Sequence, residues 1–397
     1  VDTATYFTTR GQAFLLLLIQ LGGLGIITFT TLIIVLLGRR LSLRQEAISS
    51  SSVDVAAPHV EVGLLTRDIV RFTIAIEVLG AIALYLFWVP RFGWTEAVWP
   101  AFFHAVSAFC NAGFSTFSDS LMGFQRSPMT LGIIMGLITL GGIGFLTLEE
   151  LHQARRARIE KRGYRLSLHS RLALATSGIL ILGGWLFFTV VEWRVSLAAL
   201  PVPARLMNGL FMSITPRTAG FNSIDYAVAS DSTNFLTTIF MMIGGSPGST
   251  AGGLKTTTVA LIGLLAWSRF RGREVVSIWG RSVPEETIQR AVGLFVVGFG
   301  VVTAAILLFT ATEIGAVGPS ASGERFLSFM FEAVSAFNTV GLSMNTTSSL
   351  STGGRWLAIL LMFVGRVGPL TFAAALAVRA RGGGVRFRYA NEDVVVG

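Results

Sequence analysis

Charged residues are scarce in this chain. Asp, Glu, Lys and Arg together make up 13% of its 397 residues, whereas a water-soluble domain carries roughly a quarter. Apolar residues account for 52%. A soluble enzyme or a soluble binding domain is therefore excluded, and the composition predicts an integral membrane protein.

Cysteine and acidic residues are also in short supply. The single cysteine, Cys110, excludes an internal disulfide and a Cys-rich metal site. The 22 acidic residues face 31 basic ones, which gives a net charge of +9. The basic residues cluster between apolar segments, at 39–44, 155–165, 269–273 and 379–388. Such basic loops are typical of the cytoplasmic side of a membrane protein. They form no stripe with interleaved aromatic residues, so nucleic acid is not an expected partner.

Apolar windows of about 20 residues, the length of a membrane-spanning helix, recur along the chain. Uninterrupted windows lie at 12–37, 68–89, 128–150, 171–192, 290–312 and 355–378. A further window, 233–268, is interrupted by GGSPGSTAGG at 244–253. Stretches at 97–110, 203–216 and 325–338 are too short to cross and predict re-entrant half-helices. An alternating path puts every arginine-rich loop in the cytoplasm and every half-helix at the outer face, which predicts a multi-pass protein of the cell membrane.

Internal repeats indicate how these segments are grouped. The sequence AVSAF at 105–109 recurs identically at 333–337. LITLGGIGFLTL at 137–148 resembles LIQLGGLGIITF at 18–29 and, more faintly, LMFVGRVGPLTF at 361–372. We therefore expect an all-α fold of tandem units, each with a half-helix, a glycine turn and an inward helix. The predicted unit boundaries are 1–56 for the end of the first unit, then 57–160, 161–280 and 281–397.

A glycine-centred triad follows each half-helix. The triads are Asn111-Ala112-Gly113, Thr218-Ala219-Gly220 and Thr339-Val340-Gly341. They offer no nucleophile with a base and no cluster of metal-binding side chains, so an enzyme is not expected. Glycine permits backbone angles that turn successive carbonyl oxygens to one side, and rings of carbonyls replace the hydration shell of a cation. Ordinary surface turns are the alternative, but three matched copies favour an ion pore.

Two features below the triads predict a gate. The interrupted segment contains Gly244, Gly245, Gly248, Gly252, Gly253 and Lys255. It lacks the glycine directly before lysine that a phosphate-binding P-loop needs, and a broken helix at membrane depth is the better account. Arg366 lies within an apolar window, where a charge is costly and usually faces a cavity or a partner.

Other polar residues carry weaker predictions. His104 and Glu332 occupy matched positions on two half-helices, where local hydrogen bonds are expected. The alternative function is a secondary transporter that couples another solute to Na⁺ or H⁺. It would need paired ionisable residues at the membrane midplane, for which Lys255 and Arg366, both basic, are the candidates.

Together these motifs resemble the Ktr/Trk/HKT superfamily of potassium transporters, and the KtrB-type membrane subunit in particular. The resemblance implies four M1–P–M2 repeats around one pore, with K⁺ held by carbonyls at Gly113, Gly220 and Gly341. It implies that the loop at 244–256 and Arg366 form the gate. The family's first M1 helix and first filter would precede Val1, so K⁺ preference rests on three glycines here and Na⁺ is a second candidate ion.

The resemblance also implies partners. A homodimer is expected, with the tail at 389–397 at its contact. A cytoplasmic ring of nucleotide-binding RCK subunits, of the KtrA or TrkA type, is expected to regulate the pore. Membrane lipid is the remaining expected partner, and no organic cofactor is expected in this subunit.

Overall fold

In the computed structural model the described residues are 2–25, 28, 62–315 and 325–366, with side chains from residue 67 onward in the second range. In these residues the regular secondary structure is helical except for one short hairpin, and loops connect the helices. The helices are α1 (Thr3–Tyr6), α2 (9–25), α3 (Val62–Phe92), α4 (Val98–Phe109), α5 (Pro128–Ile143), α6 (Phe145–Ile159), α7 (Leu168–Glu192), α8 (Val202–Ile214), α9 (Asp231–Met242), α10 (Thr256–Phe270), α11 (Glu285–Phe309), α12 (Arg325–Phe337) and α13 (352–366). Strands β1 (Ser277–Ile278) and β2 (Arg281–Ser282) pair antiparallel. A π-helical turn, Thr310–Ile314, extends α11.

Three helices in this part of the chain are long and apolar enough to cross a membrane. They cover Arg67–Phe92, Leu168–Glu192 and Glu285–Ile314, and α5 with α6 would be a fourth span if that bent pair is counted as one. The predicted windows 68–89, 171–192 and 290–312 lie within them. Large apolar side chains such as Leu79, Leu182 and Leu307 are exposed on their outer faces. Long helices with apolar side chains on their outer faces are typical of membrane spans, so the sequence and the structure agree on a membrane protein.

The three predicted half-helices are present as α4, α8 and α12. At 12 or 13 residues each, and about 1.5 Å per residue, they are too short to span a bilayer. Each packs against the long helix that precedes it, α4 on α3, α8 on α7 and α12 on α11. Their C-terminal halves are almost wholly buried. The short helices therefore point their C-terminal ends into the protein interior, where the triads begin.

The prediction of one continuous helix over 128–150 is wrong. The helix ends at Ile143, and α6 starts at Phe145 with a bend of 102°. Gly144 has a φ of +93°, and a side chain there would meet the Pro247 carbonyl oxygen at 2.5 Å. The Phe145 N–H donates to the Gly248 carbonyl (2.9 Å) instead of to its own helix. A distant loop thus replaces the helical hydrogen bond.

The interruption predicted within 233–268 is present, since α9 ends at Met242 and α10 begins at Thr256. The predicted windows 12–37 and 355–378 lie only partly within the described residues, where helices cover 9–25 and 352–366. The tail at 389–397 and the basic clusters at 39–44 and 379–388 lie outside the described residues. The predicted boundary at 280 falls within the turn of the β1–β2 hairpin.

Candidate functional site

The three triads share one backbone conformation. Their first residues, Asn111, Thr218 and Thr339, have φ of +50°, +67° and +54°. Their glycines, Gly113, Gly220 and Gly341, have φ of +73°, +81° and +94°. A positive φ is unfavourable for residues other than glycine and persists where the surrounding structure imposes it, which is common at functional sites. The same strain at three matched positions therefore sets the triads apart as one candidate site.

The triads meet in space although they are far apart in sequence. A side chain placed on Gly113 would lie 2.7 Å from the Ala219 carbonyl oxygen and 2.8 Å from the Gly220 Cα. One placed on Gly220 would collide with the Val340 carbonyl oxygen, and one on Gly341 would lie 3.6 Å from the Gly220 Cα. The three glycines thus come together around one point, where no Cβ fits at Gly113 or Gly220.

Each triad is tied to its own half-helix through N–H groups and hydroxyls. The Ala112 and Val340 N–H groups donate to the Ser107 and Ser335 carbonyls, both at 2.9 Å. The Ala219 N–H donates to the Thr215 carbonyl at 3.0 Å. The Ser107 hydroxyl donates to the Phe114 carbonyl (2.8 Å), the Thr215 hydroxyl donates to the Phe221 carbonyl, and the Ser335 hydroxyl accepts from the Gly341 N–H (3.2 Å).

The carbonyl oxygens of the triads are left without partners. None of them accepts a hydrogen bond from another described residue. Most carbonyls in a protein interior are paired, so a group of unpaired ones needs an explanation such as a bound ion or ordered water. A cavity of about 680 Å³ lies beside them and is lined by triad residues, by α2 and by Arg366. The site can therefore present several neutral oxygen donors to a small cation.

The broken segment lies directly under the triads and bonds to their first side chains. The Asn111 amide donates to the Thr250 hydroxyl (2.8 Å), which in turn donates to the Phe109 carbonyl (3.1 Å). The Gly252 N–H donates to the Thr218 hydroxyl (3.2 Å). The Arg366 guanidinium donates to the Thr339 hydroxyl (3.4 Å). Every triad is thus joined at its inner end to the loop or to Arg366.

The loop has a definite internal structure. The Gly244 N–H donates to the Leu254 carbonyl (2.8 Å), and the Ser246 N–H donates to the Gly142 carbonyl (2.8 Å). The Lys255 ammonium donates to the Ala251 carbonyl (2.6 Å), so this predicted gate residue closes the loop on itself.

Several loop glycines have no room for a side chain. A Cβ on Gly245 would lie 2.7 Å from the Gly142 carbonyl oxygen. On Gly252 it would lie 2.8 Å from the Asn338 carbonyl oxygen, and on Gly253 it would lie 3.1 Å from the Asn338 Oδ1. Gly248 and Gly253 also have positive φ, +74° and +66°. The loop is therefore packed to backbone contact against its surroundings.

Arg366 replaces a glycine of the repeated motif. In VGRVG at 364–368 it stands where LGGIG at 140–144 has Gly142 and where IGGSP at 243–247 has Gly245. Its side chain is half-buried, and it forms no ion pair with any residue in the described ranges. An unpaired arginine next to the cavity makes the region under the triads electropositive.

Two buried charged residues next to the triads were not predicted as site residues. Arg217 directly precedes the Thr218 triad, is 9% exposed, and donates to the Ser177 hydroxyl at 3.0 Å. Glu77 lies inside the span Arg67–Phe92 and is 4% exposed. It accepts from the Gln20 amide (3.0 Å) and from the Cys110 thiol (3.7 Å). Glu77 is therefore an acidic residue within a membrane-spanning helix, in addition to the two basic candidates predicted from the sequence.

The predicted local hydrogen bonds of His104 and Glu332 are confirmed. The His104 Nε2 lies 2.9 Å from the Ser115 hydroxyl, and Glu332 accepts from the Ser343 hydroxyl at 2.8 Å. Each residue ties its half-helix to the segment just beyond its triad. Among the described residues, no group of three His, Cys, Asp or Glu side chains could hold a metal.

Comparison with known proteins identifies the family. The sequence profile of the TrkH cation transport protein family matches residues 1–381. This chain belongs to that family. It is 34% identical to the potassium/sodium uptake protein NtpJ of Enterococcus hirae, over 100% of this chain and 86% of that relative. It is 35% identical to the Ktr system potassium uptake protein B of Bacillus subtilis, over 100% and 85%.

A solved structure agrees in fold. The potassium transporter TrkH of Vibrio parahaemolyticus superposes with a TM-score of 0.69 at 18% identity, covering 92% of this chain and 72% of that one. As a member of the TrkH family the chain is a cation transporter and not an enzyme. It is a multi-pass protein of the bacterial membrane, as its apolar helices require.

Proposed function

We propose that this protein is the pore-forming subunit of a potassium uptake system and that K⁺ binds at the triad carbonyls. The observation that carries the proposal is the meeting of three strained triads whose carbonyl oxygens have no hydrogen-bond partner in the described structure. Neutral carbonyl oxygens suit a monovalent cation that sheds its water. The names of two relatives, a potassium/sodium uptake protein and a potassium uptake protein, support K⁺, with Na⁺ as a second ion.

The half-helices favour a cation at this point. The C-terminal end of a helix carries partial negative charge, and α4, α8 and α12 all end next to their triads. We propose that each half-helix and its triad belong to one M1–P–M2 unit, with M2 supplied by α5, by α9 with α10, and by α13. On this view α2 is the M2 helix of the first unit and lines the same cavity.

The loop between α9 and α10, together with Arg366, is proposed as the gate. It occupies the inner side of the triads, where an ion leaving the carbonyls would pass. Its backbone and the arginine donate to the Thr218 and Thr339 hydroxyls, and the Thr250 hydroxyl accepts from Asn111. Closure would combine a steric barrier with the repulsion of a cation by Arg366.

A flux measurement in liposomes tests the proposed function. Purified protein is reconstituted, and Rb⁺ and Na⁺ uptake are followed under an imposed membrane potential with no Na⁺ or pH gradient. A pore predicts Rb⁺ uptake driven by its own electrochemical gradient alone. Absence of uptake until a Na⁺ or H⁺ gradient is added would contradict the pore and favour coupled transport.

The coupled secondary transporter remains the second candidate because of Glu77. A buried carboxyl inside a membrane span is a recognised element of ion-coupled transport, and this one lies beside Cys110, which lines the cavity. Glu77→Gln distinguishes the two functions in the same liposomes. Under the pore proposal, Rb⁺ flux persists and remains independent of a pH gradient. Loss of gradient-driven uptake with intact folding would support coupling through Glu77.

We further propose that the arginine-rich loops, which are predicted to be cytoplasmic, dock a ring of RCK subunits. We also propose that two copies of the chain form a dimer. Arg155, Arg156 and Arg158 lie exposed on α6, and α6 bends away from the α5 axis. Co-purification with a KtrA- or TrkA-type ring should weaken when all three become Gln. Unchanged co-purification would remove α6 from the contact, and sedimentation of the purified protein reports the dimer.

A further inference from the structure

A second cavity lies between two of the arginine-rich segments of the chain, and no triad residue lines it. It has a volume of about 520 Å³ and is formed by the segment that links α6 to α7 and by the β1–β2 hairpin. Arg165, Arg171 and Arg281 line it, together with Tyr164 and Trp279. In the described part of the chain none of these three arginine side chains forms an ion pair or donates a hydrogen bond. All three arginines are exposed to solvent, so their guanidinium groups are free to bind an anion that enters the cavity.

The hairpin that forms one wall has an unusual turn. Ile278 and Arg281 pair across it, so Trp279 and Gly280 form a two-residue turn, with φ of +51° and +75°. Two positive φ values define the hairpin turn that favours Asn, Asp or Gly at its first position. A bulky tryptophan is unfavourable there. The sequence therefore keeps an aromatic ring at this point against the local conformational preference.

The turn is held firmly and its ring orients one of the arginines. Val276 and Val283 on either side of the hairpin are buried in a hydrophobic cluster with Leu172 and Ile288. The Trp279 side chain remains 45% exposed, and the Arg171 guanidinium lies over its ring with 4.8 Å to the centroid. Stacking on an aromatic face leaves the guanidinium edge free to bind an anion.

The cavity adjoins the end of a membrane-spanning helix. Arg171 is in the first turn of α7, which spans Leu168–Glu192 and whose preceding loop is arginine-rich, as on the cytoplasmic side. Tryptophan and arginine are both common where a spanning helix leaves the bilayer on that side. We propose that this cavity binds the phosphate of an anionic phospholipid of the inner leaflet. Arg165, Arg171 and Arg281 would bind the phosphate, and Trp279 would form a platform for the glycerol backbone.

Native mass spectrometry of the purified full chain tests the site. Phosphatidylglycerol and zwitterionic phosphatidylcholine are titrated separately, and we expect a clear preference for phosphatidylglycerol. In the double variant Arg165→Gln with Arg281→Gln, phosphatidylglycerol affinity should fall about fivefold for each arginine removed, the equivalent of roughly 1 kcal/mol per basic residue near a membrane surface. The double variant Arg269→Gln with Arg273→Gln is the matched control, because both arginines are exposed at or just after the end of α10 and neither lines the cavity.

Trp279→Asn separates a binding role from a folding role. Asparagine suits the turn better than tryptophan, so the melting temperature should stay the same or rise while phosphatidylglycerol affinity falls severalfold. A lower melting temperature with unchanged lipid affinity would overturn the platform assignment.

Two further outcomes would overturn the lipid site. An equal loss in the control double variant, Arg269→Gln with Arg273→Gln, and in the cavity double variant would show diffuse attraction to basic loops and no defined cavity site. Displacement of phosphatidylglycerol by millimolar inorganic phosphate or glycerol phosphate would show a site for a small free anion. Retention of the lipid against both phosphates, with affinity lost only in the cavity variants, is the result expected.

Discussion

Gly220 is constrained by its φ of +81° and by the lack of space around its Cα. A substitution there must both strain the backbone and displace the Val340 carbonyl, which belongs to the neighbouring triad. Gly113 meets the same two constraints against Ala219. The glycines are therefore needed for the position of carbonyl oxygens on another triad as well as for their own conformation.

We predict that Gly220→Ser weakens K⁺ selectivity, because the new side chain moves carbonyls on two triads at once. Rb⁺ and Na⁺ uptake by proteoliposomes is compared for variant and parent, and the Na⁺/Rb⁺ uptake ratio should rise severalfold. Gly132→Ser in α5 is the matched control, since no atom lies within 4 Å of its would-be Cβ. An unchanged ratio in a folded Gly220→Ser protein would remove this glycine from the ion site.

Single residues were the least predictable part of the site. The glycine triads could be predicted because three matched copies stand in the sequence. Arg217 and Glu77 could not, because their partners Ser177 and Gln20 are far away in sequence and only the fold brings them together. An acid near the middle of the apolar window 68–89 was the available signal for Glu77.

At the scale of elements, the loop between α9 and α10 is less free than its glycines suggest. Glycine-rich sequence predicts easy movement, yet this loop makes backbone contacts with α5 and with the ends of α4 and α12. Moving this loop to open the proposed pore would therefore require several hydrogen bonds to break together. Each such bond contributes a net stabilisation of about 1 kcal/mol. A loop held in this way can act as a barrier that stays closed without a regulatory signal.

Loss of the barrier should raise K⁺ flux in the resting state while selectivity is kept. We expect this for Arg366→Ala, for deletion of residues 248–252 and for Thr250→Val, which removes the bonds to Asn111 and Phe109. Thr303→Val is the control, because its hydroxyl bonds only within α11 on an exposed face. K⁺ and Na⁺ fluxes are recorded in liposomes at equal gradients without a regulatory subunit.

The selectivity measurement is decisive for these variants, because a protein that merely unfolds would leak every ion. Resting K⁺ flux at or below the parent value in all three folded variants would contradict the gate and leave Arg366 as a structural anchor.

Elements were predicted well where length and apolarity determine them and poorly where distant contacts do. The long spans and half-helices follow from apolar length and were found at nearly the expected positions. The break at Gly144 was missed because it depends on a hydrogen bond from Phe145 to a loop about a hundred residues later. The hairpin was missed because its strands have two residues each and its turn carries a tryptophan.

On the scale of the whole molecule, three half-helices and their triads share a sequence pattern and a backbone conformation, with local exceptions. Cys110, Arg217 and Asn338 stand at the same position before their triads but differ in size and charge. Arg366 similarly takes the place of Gly142 and Gly245. The triads, which match one another, carry the neutral carbonyl oxygens. Two of the positions that differ, Arg217 and Arg366, carry charges close to them. This asymmetry explains why the half-helices could be predicted from the sequence while the charges around the triads required the structure.

The central claim is that monovalent cations bind directly to the triad carbonyls. Anomalous diffraction from crystals grown in Rb⁺ tests it, with crystals grown in Na⁺ and with Gly220→Ser crystals in Rb⁺ as comparisons. We predict an anomalous peak between the triads at direct coordination distance from carbonyl oxygens of Ala219 and Val340, weakened or lost in Gly220→Ser. A wild-type map with no peak at the triads, or with Rb⁺ bound instead at Glu77 and Gln20, would contradict the account.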